Sequence, residues 1–307
     1  MHPAWSVIVF TTVAGAAQGL VVALALATLL GVPLAAGFVD AALLCALGML
    51  VVGLASSLLH LGRPLRAWRA VAMWRTSWLS REVIVLPAFI GVVAAWWLAL
   101  RVGVSAPWLP LLAIAVSALL WYCTAMVYVC IRFIQEWAHA LTIVNYTLIG
   151  LASGGLLAAA LAVLGGQPAL ARSLVPWALG LTLLAWATRT LALRRNAALK
   201  LKSSLQSATG IPAKKLVQKS MGMSAGSFNT REFFHGASAA AVRHVRLALH
   251  GLGFGVPVLL LLAVQLGAPL GWLVLALMVQ GAGLLAERWL FFAQARHPQN
   301  LYYQTVS

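Results

Sequence analysis

The chain has 307 residues, 63% of them hydrophobic and only 8% charged, with a mean hydropathy of +0.95. Soluble globular domains carry about 25% charged residues, so the composition excludes a soluble enzyme. The charge is lopsided, 21 Lys and Arg against 5 Asp and Glu, but the bases stand between long apolar runs, which favours a membrane protein over a nucleic-acid binder.

A spanning helix needs about 20 mostly apolar residues. Eight stretches meet or approach that length: 7–30, 41–59, 83–100, 108–131, 141–164, 174–193, 247–266 and 270–292. Glycine and proline punctuate the breaks at 31–33, 62–64, 106–107, 165–168 and 267–269. The first run is too long for a signal-peptide core and has no basic stretch before it, so it reads as a span. Trp5, Trp78, Trp108, Trp137, Trp177, Trp272 and Trp289 lie near the proposed ends, where an aromatic belt is expected. The small-residue stretch 150–155 predicts a close helix–helix approach. The expected architecture is an all-α integral membrane protein of eight transmembrane helices, in two four-helix halves (1–135 and 136–307). Phe10-Thr11 and Gly19-Leu20 match Tyr146-Thr147 and Gly155-Leu156 at a constant offset of 136, which predicts a parallel repeat.

With eight spans, both termini share one side with the 2–3, 4–5 and 6–7 connections. All Lys and Arg except Arg101 and Arg172 fall on that side, and the positive-inside rule makes it cytoplasmic. Two connections hold most of the charge, 61–81 and 194–246. In the first, Arg66, Trp68, Arg69, Trp74, Arg75, Trp78 and Arg81 interleave, a composition enriched at protein interfaces. The same bases also suit a bland role, setting topology and touching anionic lipid.

Ionisable residues in or beside a span are functional candidates by default. His60 closes the second span and Glu82 opens the third. A histidine and a carboxylate around one pocket suit proton exchange with a quinone head group, and Arg63, Arg66 or Arg81 could hold Glu82 ionised. Read locally, His60 serves as well to cap the second helix and Glu82 to favour the dipole of the third; the residues alone leave this open. Arg132 and Glu136 read as an i,i+4 pair, Glu287 or Arg288 as partner to an arginine of a neighbouring helix, and Asp40 as an N-cap. Cys45, Cys123 and Cys130 read as small buried hydrophobes, and no metal-ligand spacing is present. His139 and His250 are conceivable haem ligands, but no pair stacks across the membrane.

His60-Leu-Gly-Arg-Pro64, then Arg66-Ala-Trp68 and Ser77-Trp-Leu-Ser-Arg-Glu82, resemble the DmsC family of membrane-anchor subunits of dimethyl sulfoxide reductase-type molybdoenzymes. The opening eight residues, the stretch from Gln135 to Gly150 and the tail Gln294–Tyr303 resemble its sulfite dehydrogenase branch. The resemblance implies a metal-free subunit that tethers a molybdopterin catalytic subunit and a four-cluster iron–sulfur subunit. It also implies electron exchange with menaquinone or ubiquinone, with His60 and Glu82 at the quinone site and Arg63 beside them. Expected partners are therefore those two subunits, quinone and lipid, with no nucleic acid. A haem b anchor, a pure scaffold and a secondary transporter are the rival readings, the last opposed by the near absence of charge at mid-membrane.

Overall fold

The computed structural model describes residues 1–59, 61, 63–200, 203–220 and 232–303, with the backbone alone for Pro64, Leu65 and Tyr302. Eight of its helices are long and apolar enough to cross a membrane: α1 (Trp5–Leu29), α2 (Ala36–Leu58), α3 (Trp78–Arg101), α4 (Trp108–Val129), α5 (Ala140–Leu164), α6 (Pro168–Ala197), α8 (Ala239–Gln265) and α9 (Trp272–Ala293). A one-turn helix, α7 (Leu205–Thr209), follows α6, and a 3-10 helix (Pro64–Met73) joins α2 to α3. No strand occurs among the described residues. The chain is a multi-pass, all-helical membrane protein.

Spans run longer than hydropathy alone indicates wherever a helix continues past the apolar core. α6 extends to Ala197 through Arg194 and Arg195, bases that complement the negative end of its dipole. α8 begins at Ala239, capped by the Ser238 side chain, eight residues before its apolar run. α3 likewise starts at Trp78, with Ser77 accepting from the Ser80 N–H, so Glu82 sits a full turn inside the helix.

Lipid supplies no hydrophobic drive between helices, so close packing of small residues must hold them. α1 and α5 cross at the centre, where a Cβ on Gly154 would overlap the Gly19 backbone and one on Gly150 would lie 2.7 Å from Trp121 Nε1. The expectation for 150–155 is met. α1 also packs on α2 and α4, and α5 on α6 and α9, while α3 joins α2 to α4 and α8 joins α6 to α9. In α8, Pro257 cannot donate to the Gly253 carbonyl. The chain there takes a π turn (Gly251–Gly255), closed by the Val256 N–H on the Gly251 carbonyl, and Gly253 meets Gly283 of α9 backbone to backbone. Gly154→Val should therefore cost about 3 kcal/mol through forced helix separation. Thermal unfolding in detergent checks this, and a wild-type midpoint would show that the crossing relaxes freely.

Contacts gather the termini and two connections at one end. The Met1 amine donates to the Ala293 and Ala295 carbonyls, Arg195 to the Gln135 carbonyl, and Asn300 to the Phe233 carbonyl. At the opposite end Asp40 accepts from Trp97 Nε1 at 2.9 Å and pairs with Arg101 at 3.0 Å. It does not cap α2, whose N-cap is Ala35. Trp137 is not part of an aromatic belt either; it is buried, and its indole donates to the Phe291 carbonyl. Cys123 is buried and Cys45 half-buried, but Cys130, at the C-cap of α4, is exposed.

Candidate functional site

The 3-10 helix packs on α3 at the basic end. It turns outward a mixed surface in which Trp68 is 73% and Trp74 51% exposed, with Arg63, Arg66, Arg69 and Arg75 also exposed. His60 lies outside the described residues, as does Gly62, so the structure does not place the histidine of the sequence motif. Within the 6–7 connection, residues 221–231 also lie outside them.

Glu82 is buried, 6% exposed, where α3 meets α4, and Thr124 Oγ1 donates to its Oε1 at 2.5 Å. None of the ion pairs among the described residues involves Glu82, contrary to the expected arginine partner. Arg81 is adjacent in sequence and so points about 100° around the helix. Its guanidinium lies over the Trp78 ring, 4.1 Å from the centroid, and donates to the Trp74 and Arg75 carbonyls at 2.9 Å each. Trp78 in turn meets Tyr122 edge to face at 5.4 Å. The arrangement is a buried carboxyl that accepts from one hydroxyl, with the rim arginine tied to backbone.

A second buried polar group lies between α5, α6 and α9. Glu287 pairs with Arg189 at 2.7 Å and approaches Arg288 at 3.4 Å, all three almost wholly buried. This is the neighbour arginine expected for Glu287. Arg288 lies over the Tyr146 ring at 3.9 Å from the centroid, a cation–π contact that partly replaces its lost hydration. In the sequence Arg189 counts only among the topology-setting bases; its position in an apolar helix is the signal that it belongs to the interior. Above this group, Glu136 pairs with Arg296 at 2.6 Å rather than with Arg132. α4 ends at Val129, so the helical i,i+4 geometry does not exist at 132–136. Glu136 and Arg296 border an open recess of about 730 Å³, also lined by Arg132, Lys200, Phe133 and Phe233.

Four histidines share one hydrogen-bond pattern. Nδ1 of His139, His235 and His297 accepts from a backbone N–H two residues on, and Nδ1 of His250 accepts from Trp186 Nε1. Each donor is an N–H that cannot accept, so the neutral rings carry their proton on Nε2. A haem ligand presents Nε2 as a lone pair with Nδ1–H donating outward, the opposite tautomer. For His139, burial and the Arg195 guanidinium lower the pKa further. Among the described residues no cluster of three His, Cys, Asp or Glu could hold a metal ion.

A family model described as "DMSO reductase anchor subunit (DmsC)" matches residues 1–293. A sulfite dehydrogenase subunit of Allochromatium vinosum is 47% identical over an alignment of 326 residues that covers all of both proteins. Anaerobic dimethyl sulfoxide reductase chain YnfH of Escherichia coli K12 is 32% identical over 115 residues, 36% of this chain and 40% of that protein.

Proposed function

The chain belongs to the DMSO reductase anchor subunit family, and from that premise we propose that it tethers a molybdopterin catalytic subunit and an iron–sulfur subunit to the cytoplasmic membrane and passes electrons between those clusters and quinone. The full-length likeness to a sulfite dehydrogenase subunit supports sulfite oxidation as the partner chemistry, with quinone as the electron acceptor. The distribution of bases supports a cytoplasmic catalytic face. The observation that carries the quinone site is Glu82, a carboxyl buried at the basic end that accepts from the Thr124 hydroxyl and pairs with no cation among the described residues. Such a group moves protons rather than anchoring charge.

In this reading quinone enters from lipid beneath the 3-10 helix, bounded by His60, Arg63 and Glu82. His60 hydrogen-bonds one quinone oxygen and Glu82 supplies a proton to the other side. Two electrons arrive singly from the nearest cluster, and two protons complete the quinol. The opposite tautomer on four histidines speaks against a haem intermediary. Quinone-linked against dye-linked turnover in His60→Ala and Glu82→Gln complexes tests the site.

The iron–sulfur partner covers the exposed arginines and tryptophans of the 3-10 helix, which requires an acidic, partly apolar surface on it. Neutralising Arg66, Arg69 and Arg75 together should weaken capture of the partner by roughly tenfold or more in a salt-dependent manner. Co-purification across a salt series measures this. Full assembly by the triple variant at all salts would leave these bases only their topological role.

A further inference from the structure

Glu82 needs a route to water once a partner covers the rim above it, and the interior supplies the parts of one. Thr124, which donates to Glu82, lines a cavity with room for about one water, about 10 Å³, together with Gln18, Trp121 and Tyr146. Gln18 Oε1 and Trp121 Nε1 are buried without a hydrogen-bond partner, and the Tyr146 hydroxyl, which faces Tyr128, makes no well-formed hydrogen bond to protein. Tyr146 also lines a second cavity of the same size, with Asn145, Arg189 and Glu287. There Asn145 Oδ1, Arg189 Nη2 and Glu287 Oε2 are again buried without hydrogen-bond partners. This second cavity continues to Glu136 and His139 at the basic end. Buried polar atoms around a space of that size are the setting in which ordered water bridges protein groups.

We propose that these groups form a lateral proton path, running from Glu82 through Thr124, one water site, Tyr146 and a second water site beside the Glu287 carboxylate to the rim at Glu136 and His139. It rests on the reading of Glu82 as the proton group of the quinone site. Three guanidiniums (Arg189, Arg195 and Arg288) against two carboxylates (Glu136 and Glu287) give the second cavity an excess of positive charge, which repels a hydronium ion and stabilises a missing proton. The path therefore works by moving the deficiency outward. After Glu82 gives its proton to a quinone oxygen, it takes one from the Thr124 hydroxyl, whose hydrogen already points at it. The hydroxyl is refilled by the first water, that water by Tyr146, Tyr146 by the second water, and the second water by solvent at the rim. Each hydrogen moves one place, and one proton leaves the solution for every proton the quinone gains.

Tyr146→Phe tests the path because it keeps the ring that stacks on Tyr128 and lies under Arg288, and removes only the hydroxyl. In the assembled complex in lipid, quinone-linked kcat should fall roughly tenfold with KM for quinone unchanged, and the solvent deuterium isotope effect should rise. Dye-linked activity gives the amount of intact complex. Thr124→Val, which interrupts the path at its other end, should raise the isotope effect in the same way. Wild-type kcat and isotope effect in both variants, with Glu82→Gln impaired, would overturn the path and leave Glu82 in place. Wild-type behaviour in Glu82→Gln as well would remove the reading beneath it.

Discussion

Glu82→Gln should lower quinone-linked turnover of the assembled complex by about 10²-fold, the lower end of what a positioned acid–base group supplies, while dye-linked turnover stays at the wild-type level. The substitution preserves volume, and its amide oxygen still accepts from Thr124, so the α3–α4 contact survives. What disappears is the exchangeable proton. The loss should appear in kcat more than in KM, because an interaction made only during proton transfer does not change ground-state binding. His60→Ala acts on binding as well, through the quinone oxygen it contacts, and should move both constants. Wild-type quinone kinetics in the two variants together would assign Glu82 to packing between α3 and α4.

The reach of the sequence differs between these features for physical reasons. The eight spans are legible because bilayer thickness fixes their length, and the α1–α5 crossing because a run of small residues has few other uses in lipid. Glu82 stands out as one of five acids at the edge of an apolar run. Thr124 does not, since a threonine in a span ordinarily bonds its own helix, as Thr11, Thr28 and Thr182 do here. Asp40 and Glu136 suggest local roles from their sequence neighbours, yet their partners lie 57 and 160 residues away. Local rules hold only where the local helix exists, and 132–136 is not helical. Tyr146 stands out in the sequence only for its repeat match; its place between two polar cavities arises from six helices meeting, which no single periodicity encodes.

The same convergence makes the Arg189–Glu287–Arg288 group the most sensitive point of the second half. Glu287→Leu should destabilise the chain by about 3–5 kcal/mol, since it leaves two buried guanidiniums without a counter-charge. Arg288 keeps the Tyr146 ring at 3.9 Å, whereas the ring face beside Arg189, that of Phe291, is distant at 6.0 Å. Arg189→Met alone should cost less, because Glu287 still has Arg288 at 3.4 Å. The double variant Arg189→Met with Glu287→Leu should recover part of the loss, as it leaves one buried guanidinium, Arg288 on the Tyr146 ring, where Glu287→Leu alone leaves two. A double-mutant cycle by unfolding in detergent should therefore return a large coupling between the two sites. Additive losses would mean that each charge is hydrated separately through the opening at Glu136 and His139, and that the pair does not hold α6 to α9.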